Sequence, residues 1–176
     1  MIESDFRAEL IRGMNLSGHA VPIPDSGGVM GRKKYDSGYL ENGIFHALEL
    51  KMVKDGFTLP FRRLEAHQED ALMDCFKHGG FGWLAVNFRI QTPSKKAEAQ
   101  YGKRINRAFM LTVNKFLSIH DYKDGSGGIS MEDFIKYSLE LEHSQVNKLQ
   151  SWIIPQRLYR YAEAQNKSDG VLAGHV

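Results

Sequence analysis

GIFHALELKM, residues 43–52, decides the fold. Ile44, Leu48, Leu50 and Met52 alternate with Phe45, Ala47, Glu49 and Lys51, the two-residue period of a strand with one wholly apolar face. Glu49 and Lys51 share the opposite face, while Leu50 points into the core. On the N-terminal side, Ile2, Phe6, Leu10, Ile11 and Met14 recur at helical spacing over residues 2–16, and Gly18 offers a stop. Residues 19–23 read as a short strand. Pro24-Asp25-Ser26-Gly27-Gly28 is turn chemistry, and the basic run Gly31-Arg32-Lys33-Lys34 continues the loop. On the C-terminal side, Leu64, Ala71, Leu72, Cys75 and Phe76 form one helical stripe over residues 64–76, ended by Gly79-Gly80. A further strand over residues 82–90 follows.

A helix, about three strands, a helix and a strand within some 90 residues predict a mixed α/β layer. After Pro93 the pattern changes to long polar segments read as amphipathic helices over residues 101–117 and 132–161, interrupted by a glycine-rich stretch at 121–128. The expected organisation is an α/β core over residues 1–92 and a helical C-terminal extension over residues 93–176. The tail from Asn166 onward is expected to fray.

Bulk properties exclude several classes. The 176 residues, 42% hydrophobic and 25% charged, describe an ordinary globular protein. A net charge of +2 does not announce a nucleic-acid binder, so any basic surface must come from local clustering. The single cysteine, Cys75, excludes an internal disulfide, and the N-terminus lacks the apolar core of a signal peptide, so a cytoplasmic location is expected. No apolar run approaches the roughly 20 residues that cross a bilayer.

The chemistry lies in Asp36 followed, thirteen residues later, by Glu49-Leu50-Lys51. If Asp36 occupies a neighbouring strand, its carboxylate meets that of Glu49, with the Leu50 carbonyl between them. These are hard oxygen ligands, which favour Mg²⁺ or Mn²⁺ over zinc. Lys51, one pleat away, would orient or help deprotonate an attacking water. Such a site hydrolyses phosphodiesters, although a Glu-x-Lys on an exposed strand face is far more often a solvated surface pair than a catalytic one. Gln68 stands where the stripe expects an apolar residue, either as a satisfied core glutamine or as an amide facing the site. Glu3 falls within the apolar arc of the first helix, through fraying of the chain start or because a partner awaits it. Glu9, at the edge of that arc, reads as a solvated helix charge.

Several ordered motifs resemble the Holliday-junction resolvases of the PD-(D/E)XK nuclease superfamily, of the archaeal Hjc and bacterial RecU types. Arg32-Lys33-Lys34-Tyr35-Asp36 is similar to the basic loop and first catalytic acid of the Hjc type, with the same step to Glu-x-Lys. His19-Ala20-Val21 after Gly18 is similar to its opening. Phe57-Thr58-Leu59-Pro60 with Glu65-Ala66-His67-Gln68 resembles the RecU segment, and the stretch from Gly80 to Phe88 resembles the strand that closes both cores.

Over residues 1–90 the resemblance implies a restriction-endonuclease-like fold and a Mg²⁺-dependent endonuclease, with Mn²⁺ able to substitute, that cleaves branched double-stranded DNA as a two-fold homodimer. It implies metal ligands Asp36, Glu49 and the Leu50 carbonyl, catalytic Lys51 and a supporting Gln68. It also implies an acid on the first helix. Alignment on Leu10, Ile11 and Gly18 puts Arg7 there, so Glu3, one turn earlier, is the candidate, with Glu9 the other acid of that helix. The RecU stalk insertion is absent, which with the small size implies a phage or prokaryotic source.

Arg32, Lys33, Lys34, Arg62 and Arg63 are the expected DNA-phosphate contacts, with further basic groups at Lys95-Lys96 and Lys103-Arg104-Arg107. The alternatives are another nuclease of the same superfamily acting on flaps, ends or specific sites, or a non-catalytic DNA- or calcium-binding module. The calcium reading comes from residues 122–133, which resemble an EF-hand loop but begin with Tyr122 and end with Asp133 in place of the bidentate Glu. A helix-to-helix turn capped by Ser130 explains the same letters.

Overall fold

A two-residue turn at Asn42-Gly43 sets the register of the sheet. Both residues have positive φ, 51° and 81°, the type I′ geometry whose twist matches that of the flanking strands. The turn joins β2 (Ser37–Glu41) to β3 (Ile44–Val53), with Glu41 opposite Ile44 and Ser37 opposite Leu48. The computed structural model describes residues 3–22, 34–146 and 148–167. Helix α1 (Glu3–Met14) leads into β1 (His19–Pro22), which lies antiparallel outside β2. β3 runs parallel to β5 (Phe81–Ile90), with helix α2 (Ala66–Lys77) in the crossover. This is the expected order, and the mixed sheet flanked by helices is consistent with a restriction-endonuclease-like fold.

The sheet continues past β5, which corrects the reading of the C-terminal half. β6 (Ile105–Thr112) is antiparallel to β5, β8 (Leu139–Val146) to β6, and β9 (Leu149–Ile153) to β8. The seven strands run in the order β1-β2-β3-β5-β6-β8-β9. The expected helix over residues 101–117 is therefore the end of a short α3 (Lys95–Tyr101), then mostly β6 followed by α4 (Val113–Tyr122). That over 132–161 is α5 (Met131–Tyr137), two strands and the start of α6 (Leu158–Lys167). No boundary at residue 92 divides the sheet. Ala108, Phe109, Met110 and Leu111 are all buried, and a central strand covered on both faces shows no two-residue alternation to separate it from a helix. β8 did carry a signal, the alternation Leu139-Glu140-Leu141-Glu142.

Each face of the sheet has its own core. On one, α1 and α6 bury Phe6, Leu10, Met14 and Leu158 against Leu48, Leu50, Trp83 and Trp152; on the other, α2, α4 and α5 bury Leu72, Phe116 and Phe134 against Ala47, Leu84 and Phe109. Glu9 lies within the first core rather than in solvent. It accepts from Arg89 Nη2 and from Trp152 Nε1 (3.0 Å), because β9 covers the flank of α1 that the sequence left open.

The calcium-like loop is built as a turn. Asp124, Gly125 and Gly127 have positive φ, and the chain then forms β7 (Gly128–Ser130), antiparallel to β4 (Thr58–Pro60). Ser130 caps α5 in a capping box with Asp133. The Lys123 ammonium donates to Asp133 Oδ2 (2.7 Å) and to the Gly128 carbonyl (3.1 Å), so two of the loop oxygens already hold a cation of the chain itself.

Two glycines let the helices sit close enough to carry the site. A Cβ on Gly13 would lie 1.6 Å from the Trp152 carbonyl oxygen, and one on Gly82 would lie 2.4 Å from that of Leu72. Both neighbours are backbone, which cannot step aside locally. Gly13→Ala and Gly82→Ala are each expected to lower the urea unfolding free energy by about 2–3 kcal/mol. Equilibrium denaturation followed by tryptophan fluorescence checks this, and wild-type midpoints would contradict the close packing.

Candidate active site

Asp36 directly precedes β2, and the hairpin register carries it opposite Glu49. Its N–H donates to the Leu48 carbonyl (2.9 Å), the last rung between the two strands. Beyond that rung no strand among the described residues flanks β3 on this side, and side-chain carboxylates take its N–H groups. Leu50 N–H donates to Asp36 Oδ2 (2.9 Å), and Met52 N–H donates to Glu3 Oε2 (3.2 Å). In an extended strand a residue's carbonyl leaves on the same side as its N–H, so the Leu50 carbonyl opens onto this edge beside the two acids.

Glu49 and Lys51 project from β3 toward α2 and are 2% and 7% exposed. Lys51 Nζ donates to Glu49 Oε1 (2.7 Å), and Gln68 Nε2 donates to the same oxygen (2.6 Å). Gln68 Oε1 in turn accepts from Lys51 Nζ (3.2 Å) and from the Glu65 N–H (3.1 Å). The last contact belongs to the capping box at the start of α2. One amide therefore both terminates the helix and joins the acid to the lysine. Among the described residues none donates to Glu49 Oε2. Burial first, and the Asp36 carboxylate next, push the Glu49 carboxyl up to about 7 against the lowering pull of Lys51.

The structure thus brings Asp36, Glu49, Leu50, Lys51 and Gln68 together, with Glu3 at the rim. Glu9 points elsewhere. Arg62 and Arg63 lie exposed in a 3-10 turn (Phe61–Arg63), with Arg63 Nη2 3.5 Å from Glu3 Oε2. Lys34 is exposed and shares a surface hollow with Asp70 and Asp74 of α2. Arg32 and Lys33 fall outside the described residues. Lys95, Lys96, Lys103 and Arg104 are exposed just past Ile90 and before Ile105, at the end of the sheet toward which β3 carries Lys51. Arg107 does not join them, since its Nε and Nη2 bind both oxygens of Glu140 at 2.6 Å. A groove of about 440 Å³, lined by Glu3, Met52, Lys54 and Arg63 among others, opens beside the acids.

Sequence reasoning missed the role of Arg7. It lies one helical turn after Glu3, on the same face of α1, and donates through Nη2 to Asp36 Oδ1. The i, i+4 spacing to Glu3 was the available signal.

The donor set fits a divalent ion. Among the described residues there is no cluster of three or more His, Cys, Asp or Glu side chains placed to hold a metal, so the donors would be Asp36, Glu49 and the Leu50 carbonyl. Two carboxylates and a carbonyl, with the remaining positions left to water or substrate, suit Mg²⁺ or Mn²⁺. No helix among the described residues is long and apolar enough to cross a membrane.

No protein-family model and no curated protein matches this chain. Among solved structures it is similar to that of Hjc, a Holliday junction resolvase from Archaeoglobus fulgidus, an archaeal hyperthermophile. The identity is 13% and the TM-score 0.38, over 93% of this chain and 95% of that one. Likeness at that level assigns no role to any residue here.

Burial of Glu49 has a consequence for stability. Its carboxyl titrates near 7 in the folded protein and near 4.5 when unfolded, so the folded state holds the extra proton between those values. The stability linked to that proton is complete below pH 4.5 and is lost as pH rises through 7. His46, lowered by burial to about 4, acts in the opposite sense below pH 6.5, so the comparison must be made between variants. From pH 4.5 to 8, unfolding free energy in the native chain is expected to fall relative to Glu49→Gln by about 3 kcal/mol, at ~1.4 kcal/mol per pKa unit. Parallel stability–pH curves from urea titrations would remove the buried proton.

Proposed function

We propose that this protein is a divalent-metal-dependent DNA endonuclease that cleaves four-way junctions by phosphodiester hydrolysis. The observation that carries the reading is the meeting of Asp36, Glu49 and the Leu50 carbonyl at an open sheet edge, with Lys51 fixed against Glu49 by Gln68. Surface pairs of the Glu-x-Lys kind are solvated. This one is buried, bridged by an amide and tied to a helix cap, an arrangement that costs desolvation and whose retention a chemical role explains.

A bound Mg²⁺ or Mn²⁺ would supply charge stabilisation at a phosphoryl oxygen and a water acidic enough to attack. Asp36 and Glu49 would hold it, and the Leu50 carbonyl would complete the protein's share. Two of the three ammonium protons of Lys51 are committed to Glu49 and Gln68, which leaves the third for a water or a phosphate oxygen. Gln68 keeps the ammonium from swinging away, so the lysine is positioned before substrate arrives. Glu3, on the Met52 N–H, secures the end of the edge and orients Arg63 toward the groove.

Arg62, Arg63, Lys95, Lys96, Lys103 and Arg104 supply positive charge at the same end of the sheet. Contacts of that kind bind phosphate without reading bases, which suits a substrate chosen by shape. Cutting two strands at symmetric positions calls for two copies of the site, hence a two-fold homodimer acting on branched DNA.

With Mg²⁺, the native chain is expected to cleave a labelled four-way junction in the presence of excess linear duplex. Asp36→Asn and Lys51→Ala are expected to lower the rate by at least about 10²-fold, and Gln68→Ala by about tenfold. Equal cleavage of linear duplex would reassign the substrate. Cleavage that survives both Asp36→Asn and Lys51→Ala would remove the site.

A further inference from the structure

Arg7 is a cation placed on the carboxylate that the proposed metal would use. It donates through Nη2 to Asp36 Oδ1. Three observations separate this contact from a structural ion pair. It is made by one nitrogen, and Arg7 Nε is buried without a hydrogen-bond partner. Arg107, by contrast, grips Glu140 with a complete fork, and Arg12 places both Nε and Nη2 on the Gln150 carbonyl. A fork adds both energy and geometry, so a contact through one nitrogen is the more easily exchanged. The Arg7 side chain is also 28% exposed, so the guanidinium has a way out to solvent. Finally, the hairpin register sets Asp36 opposite Glu49, and a resident cation offsets the repulsion of the two carboxylates.

We propose that Arg7 and a divalent ion compete for Asp36. Before an ion loads, the guanidinium is a counterion of Asp36. Loading of the ion displaces it outward, where a phosphate oxygen gives it a new partner. Metal alone then binds weakly, because the ion must break the Arg7–Asp36 contact and accept a neighbouring positive charge. DNA phosphate favours loading by accommodating the displaced guanidinium. The inference rests on the metal site proposed above and adds its regulation, a site that charges only when substrate is present.

The test is Mn²⁺ binding without DNA, measured by isothermal titration calorimetry and by the Mn²⁺-induced rise in melting temperature. Arg7→Gln is expected to bind Mn²⁺ at least tenfold more tightly than the native chain and to show the larger thermal rise. Arg7→Met, which keeps the packing of the aliphatic stem, provides a second variant should Arg7→Gln fold poorly. Arg12→Gln, which removes an α1 guanidinium bound to the Gln150 carbonyl rather than to Asp36, is expected to match the native affinity. Adding Asp36→Asn to either Arg7 variant is expected to abolish the gain. If Asp36→Asn weakens native Mn²⁺ binding but both Arg7 variants bind no more tightly than the native chain, competition is wrong and the metal site stands. If Asp36→Asn changes Mn²⁺ binding in no background, the metal site and the competition fall together.

Discussion

Past Leu48, no strand among the described residues flanks β3 on one side, and everything proposed for this protein depends on how that edge is satisfied. Unpaired backbone N–H groups in a buried region are costly, and a folded chain finds them acceptors. Here the acceptors are the carboxylates of Asp36 and Glu3, delivered from the start of β2 and the start of α1. Two acids are thereby drawn to one backbone edge for reasons of hydrogen bonding alone, and a third, Glu49, comes up from the strand itself. The outcome is a concentration of negative charge at the place where β2 and β3 part.

Such a concentration needs cations, and among the described residues Arg7 and Lys51 meet Asp36 and Glu49 in different ways. Lys51 is locked, since Glu49 and Gln68 hold it from two directions and Gln68 is itself held by the cap of α2. Arg7 is held at one point, with one nitrogen engaged and another buried and unpartnered. An ammonium held from two sides suits a positioned participant in chemistry, whereas a guanidinium held by one nitrogen and open to solvent suits a counterion that gives way. The contrast follows from where each residue sits: Lys51 projects under a helix, and Arg7 reaches in from the outer turn of one.

Support for the edge comes from parts of the chain remote from it. The orientation of α1 depends on β9, which meets it at Gly13 and takes Glu9 through Trp152. The orientation of α2 depends on the close approach at Gly82. Glu41 holds α6 in place by accepting from the N–H groups of Arg157 (2.6 Å) and Leu158 (2.8 Å). The C-terminal half therefore does structural work for the acids of the N-terminal half, and the buried Glu9–Arg89 pair is one of its anchors rather than part of the chemistry.

The sequence by itself determined the local geometry of the hairpin. Asn42-Gly43 demands a two-residue turn, that turn fixes which residues face each other, and the thirteen-residue step from Asp36 to Glu49 is the separation that puts them opposite. Alternation along β3 likewise sent Leu50 inward and turned Glu49 and Lys51 to one face, and the misplaced amide at Gln68 pointed to the same spot. All of these are short-range consequences of backbone period and turn chemistry. Tertiary structure alone decided the rest: that residues 105–112 form a buried central strand, that β9 closes over Glu9, and that the helix places Arg7 on Asp36 with Glu3 on the next N–H along. Those outcomes depend on which surfaces meet across the sheet. A central strand buried on both faces, and a charge whose partner lies 29 or 80 residues away, leave no periodic trace in the sequence around them.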